Sequence, residues 1–250
     1  MKKPIATLMA AAGILVAFAD TSTNTSSTGA PTAEKKYPWE SSIAAGLTVT
    51  SGNSETLLGT LAIGTARKTP ENEYAFGADF AYGKANSVKN IETYHAFGQW
   101  NHLFSERLYS YVRGDVLRDT IADLRYRVML SPGAGYYFLK TTNTFLAGEV
   151  GPGVVFRDIG GNHENYATLR IAERFEHKFS PGTRVWQMAE LLPQVDRFQN
   201  YIFNFELGAE AAFTKTLSLQ VVLSDSYNSE PAIGRKRNDV KLVSGVAYKF

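Results

Sequence analysis

From residue 39 to residue 250 the apolar positions recur with a period of two. Tyr74, Phe76, Ala78, Phe80 and Tyr82 fall on one face of an extended chain, and Glu73, Ala75, Gly77, Asp79 and Ala81 on the other. Tyr201, Phe203, Phe205, Leu207, Ala209, Ala211 and Phe213 alternate in the same way with Ile202, Asn204, Glu206, Gly208, Glu210 and Ala212. Residues 217–224 and 240–250 repeat the pattern. Neighbouring side chains of a strand point to opposite sides, so the chain is predicted to be all-β. No window after residue 38 holds the unbroken apolar run that a spanning helix needs.

The alternating runs are about 11–14 residues long, roughly twice the globular mode and close to what a tilted strand needs to cross a bilayer. One face is aliphatic, with aromatics near several strand ends; the other carries charges, amides and glycine. A lipid-facing wall around a polar lumen has this character. Short turns are expected at residues 68–72, 103–108, 140–144, 180–183 and 213–217. They alternate with connections at 51–55, 83–90, 117–124, 156–165, 195–200 and 224–239. Short periplasmic turns alternating with outer loops predict a twelve-stranded antiparallel transmembrane barrel of the outer-membrane type, with ten or fourteen strands as alternatives. Glu173 and Gln187 interrupt apolar faces, and a bulge or an interfacial depth is expected at each.

The first residues stand apart. Lys2 and Lys3 precede an apolar stretch over residues 5–18, and Ala17-Phe18-Ala19 has a signal-peptidase pattern. A signal peptide over 1–19, cut after Ala19, is predicted. Residues 20–38 are rich in Ser, Thr and Pro with little to bury, and are expected to be a disordered linker. The barrel is assigned to 39–250. Cysteine is absent, which excludes disulfides, Cys-ligated metals, a thiol nucleophile and a lipoprotein anchor. Lys plus Arg number 26 against 24 Asp plus Glu; without Lys2 and Lys3 the two signs balance, so no nucleic-acid partner is expected. The slightly negative mean hydropathy resembles that of a soluble protein. A barrel explains it, because half of each strand faces a polar lumen.

Strand parity then selects the candidate lumen lining: Arg113, Asp115, Arg125, Arg127, Glu149, Arg170, Arg174, Glu206 and Glu210, with Glu176 beside them. Both signs on neighbouring strands suit either a salt-bridged filling or a channel wall of weak charge selectivity. Pro132 and Pro152 should lie side by side facing lipid, with Gly133, Gly135, Gly151 and Gly153 forming a lumenal glycine patch that leaves room for a bulky Arg or Tyr or for a small ligand. Val246, Tyr248 and Phe250 end the chain on one face, resembling the terminal signature that barrels present to their assembly machinery. The loop Gly234-Arg235-Lys236-Arg237 suits contact with lipopolysaccharide phosphates. His95 and His102, seven apart, face opposite sides and cannot share a metal; no metal, cofactor or catalytic residue is assigned. Asp115, Asp119 and Asp123 span a strand end and a loop, which suits a solvated turn better than an acid pair.

Several segments are similar to the salt-induced outer membrane protein family of bacteria, whose function is unknown. These are Trp39-Glu40-Ser41-Ser42-Ile43-Ala44-Ala45-Gly46-Leu47, Thr50-Ser51-Gly52-Asn53-Ser54-Glu55-Thr56, Tyr109-Ser110-Tyr111, and Arg125-Tyr126-Arg127 leading to Ser131-Pro132-Gly133-Ala134-Gly135-Tyr136-Tyr137. The resemblance covers most of 39–250. It implies an outer-membrane location and a link to salt or osmotic stress, and supplies no catalytic residues.

Three functions follow as alternatives. One is a narrow channel or envelope-maintenance protein; another is a closed structural or binding barrel. The third is a lipid-modifying enzyme. For the last, Ser51-Gly52-Asn53-Ser54 is the nearest string to the His-x-Ser-Asn-Gly segment of outer-membrane phospholipases, and no His precedes it.

Overall fold

A computed structural model describes residues 37–50, 56–180 and 182–250. The predicted signal peptide, all but the last two residues of the linker, and the Gly52-Asn53-Ser54 turn lie outside the described residues. Twelve strands form: β1 (Glu40–Thr50), β2 (Thr56–Lys68), β3 (Asn72–Ala85), β4 (Val88–Leu103), β5 (Leu108–Asp119), β6 (Leu124–Lys140), β7 (Thr144–Ile159), β8 (Asn162–Ser180), β9 (Thr183–Gln194), β10 (Arg197–Ala212), β11 (Leu217–Asn228) and β12 (Asn238–Lys249). Each pairs antiparallel with its sequence neighbours, and β1 pairs with β12 to close the barrel. Closure leaves no unpaired sheet edge, which a bilayer would penalise heavily.

At the seam, Ser42↔Lys249 to Ala45↔Val246 form the ladder. Below it Phe250 and Ser41 exchange backbone bonds of 3.0 and 3.3 Å. Phe250 therefore extends the seam ladder by one pair.

Leu61, Ile63, Val112, Val116, Val128, Leu130, Val150, Val154, Leu207, Leu219 and Leu242 are exposed on the outer wall. They are the aliphatic band predicted from the alternation. Trp39, Phe76, Trp100, Phe104, Phe138, Phe179, Phe213, Tyr248 and Phe250, also exposed, mark its rim at the short-turn end. A girdle of aromatic rings at the rim suits a membrane interface.

The short turns fall where the sequence puts them, within a residue. Several outer connections are shorter than expected. β3 and β4 are joined by Asn86 and Ser87 alone, both with positive φ (50° and 64°). β7 and β8 are joined by Gly160 and Gly161, at 59° and 80°. Two left-handed residues make the tight hairpin turn whose twist matches the strands, and Gly enters that region without a Cβ penalty. Above the bilayer no apolar face is needed, so polar residues continue the ladder and the alternation signal fades.

Of the two expectations for Glu173 and Gln187, the bulge is corrected. The β8–β9 ladder runs in unbroken register from Ile171↔Leu191 to Lys178↔Arg184, so no bulge turns either side chain away from lipid. Instead Gln187 Nε2 donates to Glu173 Oε2 at 2.7 Å.

Candidate functional site

Inner-face residues converge because the strands' polar halves share one narrow space. Arg170, on β8, is 1% exposed and is the hub. Its Nη1 donates to Glu149 Oε2 at 2.7 Å and its Nε to Glu190 Oε1 at 2.6 Å. Its guanidinium lies 5.1 Å from the ring centre of Tyr111. Glu149 Oε1 also accepts from Gln99 Nε2 (2.7 Å) and Tyr109 OH (3.0 Å).

The chain of bonds continues both ways from this hub. On one side Arg113 Nη1 donates to Gln99 Oε1 at 3.2 Å, and Arg113 Nη2 to Asp115 Oδ2 at 2.9 Å. His95 then bridges two acids, with Nε2 3.0 Å from Asp115 Oδ1 and Nδ1 2.7 Å from Asp79 Oδ1. On the other side Asn204 Nδ2 reaches Glu190 Oε2 at 3.1 Å, and Ser226 Oγ reaches Asn204 Oδ1 at 2.9 Å. A continuous belt thus crosses the lumen from β3 to β11. Nearly dry charges of this kind persist only when each finds opposite charge and hydrogen bonds.

Two further layers close the ends. Toward the short-turn end Glu210 Oε2 accepts from Arg184 Nε at 2.7 Å and Glu210 Oε1 lies 2.5 Å from Lys249 Nζ, while Trp186 Nε1 donates to Glu206 Oε1 at 2.7 Å. Glu73 accepts from Tyr137 OH and from Asn101 Nδ2. Toward the outside Met129, Val155, Leu192 and Ile202 form an apolar layer. Above it Ala232, in the β11–β12 connection, packs on Leu117, Leu124 and Ile159 of β5, β6 and β7. Those strands lie on the opposite side of the barrel, so the connection folds across the mouth.

The glycine patch is filled from within. Gly133 and Gly135 pair with Tyr111 and Tyr109, whose rings lie where Cβ atoms would stand. A Cβ on Gly151 would strike the Pro132 carbonyl, and one on Gly153 would crowd Thr168. The bulky partners are therefore the tyrosines of the adjacent strand, and they occupy the space a small ligand would need. Pro132 and Pro152 face lipid. They interrupt the β6–β7 ladder between Leu130↔Val154 and Ala134↔Val150 without changing its register.

Arg113, Asp115, Glu149, Arg170, Glu206 and Glu210 join these bonded layers. Arg127 and Arg174 are half-buried on the inner face, and Arg174 lies 5.5 Å from the ring centre of Phe145. Glu176 is 3.5 Å from Arg184. Arg125 is placed differently. Its side chain is 69% exposed at the outer rim, 3.4 Å from Asp158, because a register shift at Leu124/Tyr126 turns it out of the lumen. Sequence parity missed Asp79, His95, Gln99, Glu190, Tyr109 and Tyr111 as members. The signal was available for two of them, since Asp79 and His95 are cross-strand partners on inner positions. Asp119 serves as a turn cap, its Oδ1 accepting from the Ile121 and Ala122 amides at 2.9 Å. His95 faces inward and His102 bonds Asn72 on the outer face. Among the described residues no group of His, Asp and Glu is arranged to hold a metal ion.

The lumen is not filled evenly. Ala44, Gly46, Thr60, Ala62 and Gly245 leave a cavity of about 30 Å³ beside Asp79, room for a water or two.

A closed, twelve-stranded antiparallel wall with an apolar exterior and a charged interior defines the protein as an outer-membrane-type β-barrel. Over residues 43–250 the chain matches the family described as "Protein of unknown function, DUF481", and it belongs to that family. No curated protein matches it in sequence. Among solved structures it is similar to the COG4313 outer membrane channel from Pseudomonas putida F1, at 11% identity and a TM-score of 0.53, over 90% of this chain and 100% of that one. It is also similar to the NanC porin, at 6% identity and 0.53, over 84% and 100%. At these identities the likeness is one of fold.

Proposed function

We propose that the protein is an outer-membrane barrel of the bacterial cell envelope that acts as a narrow channel, closed at rest by its own side chains. The observation that carries this reading is the belt from Asp79 to Ser226, with Arg170 buried at its centre. An open pore would leave that arginine wet. Arginine and carboxylate alternate along the belt, which suits weak charge preference. The same closure, with Ala232 across the mouth, also favours a second reading, a permanently closed structural or binding barrel.

Export by a cleaved signal peptide, recognition of Val246, Tyr248 and Phe250 by the assembly machinery, and contact of Arg235, Lys236 and Arg237 with lipopolysaccharide belong to the same proposal. A role under salt stress rests on the family resemblance alone. Liposome swelling tests the closure. Vesicles carrying the wild-type protein should swell no faster in a disaccharide than empty vesicles. Swelling at the rate of an open general porin would refute it.

A further inference from the structure

Glu173 and Gln187 stand on the lipid side of the wall, where a polar pair needs a reason. Ile171 and Phe175 flank Glu173 on its own face. With a rise of about 3.3 Å per residue and a tilt of about 40°, Glu173 lies roughly 15 Å above the rim residue Phe179. That is well inside an apolar band about 25 Å tall. Neither side chain turns inward, and the bond between them satisfies only part of their capacity. A carboxylate has room for about four hydrogen bonds, and a primary amide has a second N–H and a carbonyl oxygen. Among the described residues no cation pairs with Glu173. In hydrocarbon the remaining groups have no water to turn to.

The ladder partners of Glu173 are Gly148 on β7, with the Phe138 ring beside it, and Ala189 on β9, whose own partner on β10 is Phe205. The small side chain of Ala189 leaves the polar pair open on one side, where a second protein wall can approach.

We infer that this face is where two copies of the chain associate in the membrane, each offering Glu173 and Gln187 to the same pair of the other. The committed occupant is a second copy because of depth. Copies inserted in one orientation hold this pair at the same height, so a two-fold axis along the membrane normal sets the two pairs opposite each other. A two-fold interface requires such a self-complementary patch, and a carboxylate with an amide is one. Each amide can donate its free N–H to the other copy's carboxylate.

The absence of cysteine makes the test direct, because an engineered thiol is the sole one in the chain. Ala189→Cys places it beside Glu173. Leu61→Cys places it on the far wall, on β2. Copper-phenanthroline oxidation of outer membranes should give roughly tenfold more covalent dimer from Ala189→Cys than from Leu61→Cys, as expected of a polar contact made in hydrocarbon. Adding Glu173→Leu and Gln187→Leu to Ala189→Cys should remove that excess while the barrel keeps its heat-dependent gel mobility. Equal yields on both walls, an adduct with a different protein, or a dimer unaffected by the leucines would each overturn the inference.

Discussion

Replacing Arg170 with alanine should lower the stability of the refolded barrel by about 3–5 kcal/mol, the cost of leaving buried charge without its partner. Two carboxylates are stranded at once. Glu149 keeps Gln99 and Tyr109 as donors, and Glu190 keeps Asn204, but each loses its direct ion pair, with only Arg174 near Glu149 and Arg113 near Glu190 left at longer range. The side chains of Glu149 and Glu190 are 3% and 7% exposed, so water offers little relief. The exposed pair Lys89–Glu92, 2.7 Å apart at the outer rim, gives the contrast. Lys89→Ala should cost no more than about 1 kcal/mol, as surface pairs do. Neutralising the acids as well, in Arg170→Met with Glu149→Gln and Glu190→Gln, should recover much of the loss. Urea unfolding in lipid vesicles, followed by tryptophan fluorescence, reads all three. An Arg170→Ala loss no larger than that of Lys89→Ala would remove the hub from the account.

Gly135→Ala should be the second large effect, at about 1–3 kcal/mol, the usual cost of forcing a methyl into a packed site. The new Cβ would lie within the ring of Tyr109. That ring packs on Tyr137, with centroids 4.7 Å apart, and its hydroxyl donates to Glu149. Displacing it therefore disturbs the belt as well as the packing. Gly114→Ala is the control. It lies on the outer face of β5 with nothing within 4 Å of the added atom, and should be neutral. The same unfolding series measures both. Equal effects at the two glycines would show that the patch is not built around the tyrosines.

Much of the fold could be read from the alternation, because a lipid wall imposes one simple rule on every second residue. Twelve strands, their short turns and, Arg125 aside, the inward set from Arg113 to Glu210 follow from the alternation and its breaks. Where the chain leaves the bilayer the rule lapses. The two-residue turns at Asn86-Ser87 and Gly160-Gly161 and the outward swing of Arg125 are therefore set by local backbone geometry. Parity also says which side chains face the lumen but not which of them meet. Arg170 finds Glu149 and Glu190 because β7, β8 and β9 are neighbours in a fixed register. The bridge of His95 between Asp79 and Asp115 needs three strands at once. Glu173 and Gln187 looked like errors in the pattern, and the unbroken ladder shows that they are real features of the outer wall.

Planar-bilayer recording of the purified protein tests the closed lumen most directly. The wild-type protein should give only brief, small current steps with little preference between cations and anions. An Arg170→Ala, Glu149→Ala double variant, which removes the centre of the belt and one of its acids together, should give larger and longer ones. A steady, wide conductance from the wild-type protein would contradict the account.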